Sequence, residues 1–216
     1  MSDFRLNRVL SKPLTAILLG TPLTPNHITT LSMSLGVGAG LLFSQGRYGT
    51  GVVAAFLYQL AVVLDNCDGE VARAKNMKSR FGGWYDILAD LVTDICLFGG
   101  VALGVLKNHS EGPVAFFTVM ALSGALIHVS LVVFEKIRGF GPAAFGAPHP
   151  EHEKRKNPLL SFFDALREGD SSWFVPLFAV SGKMIWLLWF GGVYMQFLWV
   201  TALAVNFRWL VPNKET

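Results

Sequence analysis

The sequence predicts an all-α, polytopic membrane protein with six transmembrane helices and an amphipathic juxtamembrane helix at its N-terminus. Three observations carry this. Charged residues are 15% of the 216 and hydrophobic residues 52%, against about 25% charged in an ordinary soluble domain. The apolar residues fall in runs of the length, about 20, that a helix needs to cross a hydrocarbon layer. The basic residues fall almost entirely on one side of those runs. This composition excludes a soluble globule and a disordered chain. Cys67 and Cys96 both lie in apolar stretches, which gives no support to a disulfide-stapled secreted fold. The N-terminus lacks a short apolar core ending in a cleavage site, so no signal peptide is expected. A net charge of +3 is small; the expected partner is membrane lipid and not nucleic acid.

Residues 1–20 set Phe4, Leu6, Val9, Leu10, Leu14, Ile17 and Leu18 among Arg5, Arg8 and Lys12. That pattern predicts a helix lying on the cytoplasmic interface. The first span is expected from Ile28 to Ser44, with Gly36 and Gly40 as a small-residue pair. The second runs from Gly51 to Ala72, the third from Gly83 to Leu106, and the fourth from Pro113 to Phe134. The fifth and sixth share the stretch Ser172–Val211, divided near Phe190, Gly191 and Gly192. Before them, residues 139–171 read as a cytoplasmic loop, rich in Gly, Pro and His as far as Pro150, with a short surface helix over Leu159–Leu166. Two histidines in that loop, His149 and His152, do not by themselves make a metal site. With the N-terminus in the cytoplasm, 15 of the 18 basic residues fall on the cytoplasmic side; Arg47, Lys107 and Lys183 fall on the other. Both termini are then cytoplasmic, in a multi-pass protein of the cell (inner) membrane.

Six acids, Asp65, Asp68, Glu70, Asp86, Asp90 and Asp94, crowd between positions 65 and 94, most of them inside spans. A carboxylate within a span costs roughly 2.5–3.5 kcal/mol on insertion scales and needs a partner or a wet cavity. Asp65, Asp68, Gly69 and Ala72 share one stripe of a helix; Asp86 and Asp90 share a stripe of the next. A short turn makes the two helices antiparallel neighbours, so four carboxylates converge. Only Arg73 adjoins the stripe, and one arginine does not balance four carboxylates. Oxygen-only ligation suits Mg²⁺, Mn²⁺ or Ca²⁺, not zinc, and four aspartates around a cavity are the composition of a two-metal site for phosphoryl chemistry.

The spacing now identifies a resemblance. Asp65-Asn-Cys-Asp68-Gly69-Glu-Val-Ala72-Arg73, eight residues, Gly82, three residues, Asp86, three residues and Asp90 resembles the signature of the CDP-alcohol phosphotransferase family at every fixed position. Thr24-Pro25-Asn26-His27-Ile28-Thr29 ahead of the first span is similar to the family as well, and the likeness covers essentially the whole chain, in outline only after Arg138. The resemblance implies a single membrane domain over residues 1–216. It implies transfer of a phosphoalcohol from a CDP-linked donor to a hydroxyl acceptor with release of CMP. It implies that Asp65, Asp68, Asp86 and Asp90 hold two divalent cations, Mg²⁺ or Mn²⁺, and that Asp90 is also the general base. It implies that Pro25, Asn26, Thr29, Asp65, Gly69, Ala72, Arg73, Ser79 and Gly82 surround the CDP group, and that the protein is a homodimer. Arg73 would offer a bidentate fork to phosphate; Gly69 and Gly82 would leave room for cytidine. Within the family the chain is similar to di-myo-inositol-phosphate-phosphate synthases, which use CDP-inositol, and to phosphatidylinositol-phosphate synthases, which use CDP-diacylglycerol. The acceptor is expected to be a small polar alcohol, a polyol phosphate such as inositol phosphate. Lys136, Arg138 and Arg167 are the basic residues placed to receive its phosphate. Two rival readings are an inactive lipid-binding scaffold, which the intact quartet opposes, and a cation channel, which would need polar groups continuing to the outer side.

Overall fold

The computed structural model describes residues 6–108, 113–138 and 171–210, all of them in helices or short connections. The Leu159–Leu166 helix, the loop histidines and Arg167 lie outside the described residues. Seven α-helices are present among the described residues: α1 (Leu6–Leu19), α2 (Pro25–Phe43), α3 (Tyr48–Ala74), α4 (Arg80–Asn108), α5 (Val114–Arg138), α6 (Phe174–Val180) and α7 (Met184–Leu210). A single 3₁₀ turn, Ser171–Trp173, leads into α6. Among the described residues, three helices are long and apolar enough to cross a membrane: Tyr48–Ala74, Arg80–Asn108 and Val114–Phe134.

Local chemistry sets the boundaries at the functional end. The first long helix starts at Pro25 and not at Ile28. Thr24 caps it, accepting from the His27 amide at 3.4 Å, while His27 Nδ1 accepts from the Thr24 amide at 3.4 Å, a reciprocal box ahead of a proline at the first helical position. Between α3 and α4, Asn76 takes a left-handed φ of 55°, which asparagine tolerates better than most residues. Ser79 Oγ then accepts from the Gly82 amide at 2.9 Å to start α4. Lys75 Nζ donates to the carbonyls of Thr21 (2.7 Å) and Leu23 (3.1 Å), tying this turn to the α1–α2 connection.

The helices α2 and α4 cross so closely that side chains are excluded. A Cβ on Gly100 would strike the Gly40 carbonyl, and one on Gly40 would lie 2.7 Å from the Cys96 carbonyl carbon. Of the small-residue pair read from the sequence, Gly40 meets the α4 backbone, while Gly36 makes room for the Thr93 side chain. One cluster of buried residues, including Phe43, Leu97, Phe98 and Val101, fills the half of the bundle away from the aspartates. A smaller one, Leu18, Ile28, Leu64, Cys67 and Val71, supports the aspartate half.

The last apolar stretch divides elsewhere than expected. The break is Ser181-Gly182-Lys183, where Gly182 takes a φ of 70°, and α7 runs unbroken through Phe190, Gly191 and Gly192. Those glycines make contacts instead of a turn: a Cβ on Gly191 would meet the Phe98 ring of α4, and one on Gly192 would sit 3.1 Å from the Phe117 carbonyl of α5.

The juxtamembrane segment is helical, with its polar stripe turned inward. Asn7, Ser11 and Thr15 are buried, while Leu6, Val9, Leu10 and Ile17 are exposed. Asn7 Oδ1 accepts from Gln59 Nε2 at 2.7 Å, and the Ser11 and Thr15 hydroxyls donate to the two Glu70 oxygens at 3.1 and 2.6 Å. Gln59 and Glu70 are eleven residues apart on α3, three turns and one face, so α1 runs beside α3 in the same direction.

Candidate active site

Both carboxylate stripes end up facing one another. On α3, Asp65 is half-buried and Asp68 is 6% exposed; on α4, Asp86 is half-buried. Their carboxylate oxygens lie within 4.8 Å of one another. This donor set fits a hard divalent cation, because oxygen is its only ligand atom and three carboxylates this close need a positive charge between them. Asp68 is held from behind: the Thr29 hydroxyl donates to its Oδ2. The same hydroxyl lies 3.1 Å from the Pro25 carbonyl.

Asp90 lies one helical turn beyond Asp86 on the same stripe of α4. It is exposed and lines, with Asp65, a cavity of about 270 Å³ that runs from the carboxylates into the bundle. Deeper along its walls are Ser32, Tyr58, Thr93, Asp94 and His128, interspersed with Ala125, Val129 and Val132.

The residues expected around CDP form one rim. A Cβ on Gly82 would lie 3.0 Å from Ser79 Oγ and 3.1 Å from Asn26 Oδ1, so this glycine brings the starts of α2 and α4 together. Pro25, Asn26 and Thr29 occupy the first turns of α2. Gly69 follows Asp68 on α3, and its missing Cβ leaves a place 3.4 Å from the Arg73 guanidinium. Arg73 is exposed and Ala72 half-buried beside it. Of the basic residues expected at the acceptor, positions 136 and 138 end α5 at the aspartate end of the bundle. The Lys136 and Arg138 side chains, like Arg167, lie outside the described residues.

The family's model, CDP-alcohol phosphatidyltransferase, matches residues 22–206. The chain belongs to the CDP-alcohol phosphatidyltransferase family. The apolar helices and the carboxylate cluster fit that membership. Among curated relatives, a protein of Rubrobacter xylanophilus named bifunctional IPC transferase and DIPP synthase is 42% identical over 111 residues, 51% of this chain and 24% of that protein. One of the same name from Archaeoglobus fulgidus is 25% identical over 205 residues, 94% of this chain and 36% of that protein. The phosphatidylinositol phosphate synthase of Corynebacterium glutamicum is 30% identical over 132 residues, 61% of this chain and 58% of that protein. The chain thus spans about a quarter to three fifths of these relatives. Crystal structures of Mycobacterium tuberculosis phosphatidylinositol phosphate synthase share the fold. The complex with manganese and citrate matches with TM-score 0.59 at 23% identity, over 95% of this chain and 92% of that one. The complex with CDP-DAG matches with TM-score 0.59 at 23% identity, over 97% and 98%.

Sequence reasoning left out the deeper wall of the cavity. Asp94 continues the stripe of Asp86 and Asp90 by one more turn, and Tyr58 lies two turns before Asp65 on the same face of α3. Extending each stripe would have found both. His128 is on α5 and joins the cavity only through packing, which no local pattern announces.

Proposed function

We propose that this protein transfers a phosphoalcohol from a CDP-linked donor to a hydroxyl of a polyol phosphate, releasing CMP. The observation that carries this is the convergence of carboxylates from α3 and α4 beside a cavity. Asp65, Asp68 and Asp86 converge, while Asp90 opens onto the adjoining cavity. In this reading all four hold two divalent cations, Mg²⁺ or Mn²⁺, with Asp90 contributing one oxygen. When bound, such ions neutralise the pyrophosphate and the charge that grows on departing CMP. Pro25, Asn26, Thr29, Ser79 and Gly82 shape the nucleotide side of the rim. Arg73 binds phosphate through its planar fork. The acceptor enters the cavity, its hydroxyl oxygen attacks the β-phosphorus, and the bond from that phosphorus to the CMP oxygen breaks. The acceptor's proton passes to the free oxygen of Asp90.

Ser32, Tyr58, Thr93, Asp94 and His128 give the cavity several groups able to hydrogen-bond hydroxyls, which supports a polyol acceptor. Lys136, Arg138 and Arg167 would receive its phosphate. The donor is CDP-diacylglycerol or CDP-inositol. The first is supported by the likeness to the Mycobacterium tuberculosis enzyme with CDP-DAG bound, the second by the IPC transferase relatives. The same reading makes the protein a homodimer with its active site and termini on the cytoplasmic side.

The test is CMP release by the purified protein with each donor against inositol phosphate, glycerol phosphate, serine and inositol, with Mg²⁺, Mn²⁺ or excess EDTA. One donor with inositol phosphate should release CMP, and EDTA should abolish it. Full activity in EDTA overturns the two-cation mechanism. No CMP from either donor with any acceptor overturns the function.

A further inference from the structure

At the end of the bundle away from the aspartates lies a second cavity, of about 250 Å³. It opens between the α2–α3 turn, the last turn of α4 and the α6–α7 turn. Phe43, Val101, Val105 and Ile185 wall it; Arg47, Tyr48 and Asn108 rim it. The aspartate site takes no part in it: Asp65 and Gly51 are fourteen residues apart on α3, about 21 Å along the helix.

Two of the three rim side chains are already committed. Tyr48 donates its hydroxyl to the Val180 carbonyl at 2.9 Å, and the Asn108 amide donates to the carbonyls of Gly46 and Gly104. These bonds join three connections into a fixed frame. Gly46, with a φ of 72°, is required there, since a Cβ would lie 2.6 Å from the Gly104 carbonyl oxygen. Arg47 differs. Its carbonyl accepts from the Gly51 amide and the Thr50 hydroxyl, but its side chain is exposed and no carboxylate of the described residues lies at this end of the bundle.

The charge distribution sharpens this. Among the described residues, Arg47, Lys107 and Lys183 are the basic residues at this end, one lining the cavity and two adjoining its lining. Arg47 lines it. Lys107 precedes the lining Asn108 and reaches the Ser44 carbonyl at 2.6 Å. Lys183 lies between the lining residues Gly182 and Met184. Glu111, the one acid in the neighbouring connection, lies outside the described residues.

A guanidinium over an apolar hollow, at the level where a bundle leaves the membrane, suits a ligand with an anionic group joined to hydrocarbon. Arg binds phosphate through two parallel hydrogen bonds, and apolar walls favour a ligand that covers them. We infer that this cavity binds an anionic phospholipid of the leaflet at that end, its phosphate on Arg47 and its glycerol and first acyl carbons in the hollow. This site is separate from the transfer reaction and does not depend on it.

The experiment is native mass spectrometry of the full-length protein in detergent, titrated with dioleoylphosphatidylglycerol or dioleoylphosphatidylcholine. Phosphatidylglycerol should bind the wild type the more tightly. Arg47→Gln should weaken that binding by about tenfold, the scale of one charge-assisted hydrogen bond. Ile185→Trp, which fills the hollow and leaves the charges alone, should weaken it similarly. Arg8→Gln, an equal charge change on exposed α1, should leave it unchanged, and millimolar inorganic phosphate should not displace the lipid. Melting without lipid checks that each variant is folded. The inference is overturned if Arg47→Gln and Ile185→Trp bind phosphatidylglycerol like wild type, if Arg8→Gln loses as much as Arg47→Gln, or if inorganic phosphate competes. None of these results touches CMP release, so the two readings fail independently.

Discussion

Asp68 and Asp90 belong to the same constellation but live in different surroundings. Asp68 is buried and takes the Thr29 hydroxyl; Asp90 is open to the cavity. A carboxylate with both oxygens engaged is a poor proton acceptor, while one with a free oxygen facing the acceptor is placed for the task. Asp90→Asn should therefore lower turnover by roughly 10²–10⁴-fold, the usual share of general-base catalysis, while donor affinity changes little. Measuring both on one purified variant decides it; collapse of donor binding together with turnover would make Asp90 chiefly a ligand. Thr29→Val removes the hydroxyl behind Asp68 and keeps the volume. The divalent-cation concentration for half activity should rise by about tenfold or more, the range for partners that orient a metal ligand, with maximal turnover nearly restored at saturating cation. At this scale much was readable beforehand. That Asp65, Asp68 and Asp86 come together follows from helical spacing within two neighbouring elements. The Thr29–Asp68 bond joins residues 39 positions apart and was visible only as an implied neighbourhood of the nucleotide.

Among the elements, α1 shows how little an amphipathic pattern says about which residues make the contact. Its leucines and its charged residues are both conspicuous, and they suggest a helix whose apolar face seeks the interface. The residues that seat it are the inconspicuous ones, Asn7, Ser11 and Thr15, bonded to Gln59 and Glu70. With the polar stripe satisfied by α3, the exposed leucines are left to face lipid. Glu70 sits about 200° around α3 from Asp68, so this contact fixes the helix from behind its carboxylate stripe. Glu70→Ala leaves two hydroxyls without their acceptor and should cost about 1–2 kcal/mol, the scale of two such hydrogen bonds. The readout is a lower melting temperature in detergent, with Glu70→Gln recovering part of it; an unchanged melt for Glu70→Ala would mean the contact contributes nothing. The turn at Gly182 teaches a related lesson. Gly191-Gly192 looked like the break because two glycines weaken a helix. Instead they admit the Phe98 ring and the α5 backbone, a contact between elements that sequence order does not reveal.

Across the whole molecule, the two ends of the bundle differ in chemistry. One carries the carboxylates, the cavity lined by Asp65, Asp90 and Asp94, and the α3–α4 turn with Lys75 and Lys78; the other carries Arg47 at the second cavity, with Lys107 and Lys183 next to its lining residues. Between them Leu97, Phe98 and Val101 are almost fully buried. The sidedness is testable with an amine reagent that does not cross membranes, applied to sealed inside-out vesicles. Lys78 should label and Lys107 should not; labelling of Lys107 alone would invert the topology. The all-helical class and its apolar runs were legible because length and hydropathy are properties of single segments. How α5 and α7 close the cavity was not, because it rests on contacts such as Gln196 Nε2 to the Met120 carbonyl.

The bond between Thr15 and Glu70 spans 55 positions of chain, and that between Ser11 and Glu70 spans 59. Synthesis proceeds from the N-terminal side at about 5–20 residues per second, so α1 has no seat until the far half of α3 has been made. For several seconds its buried hydroxyls and Asn7 have nothing to bond. Lys75, which ties the α1–α2 connection by two carbonyls, comes later still. The N-terminal segment is thus a late arrival in assembly despite its early birth. Membrane-inserted fragments ending before Gln59 should lose α1 rapidly to protease, and fragments extending past Lys75 should protect it. Equal protection in both would mean that α1 finds its place without α3.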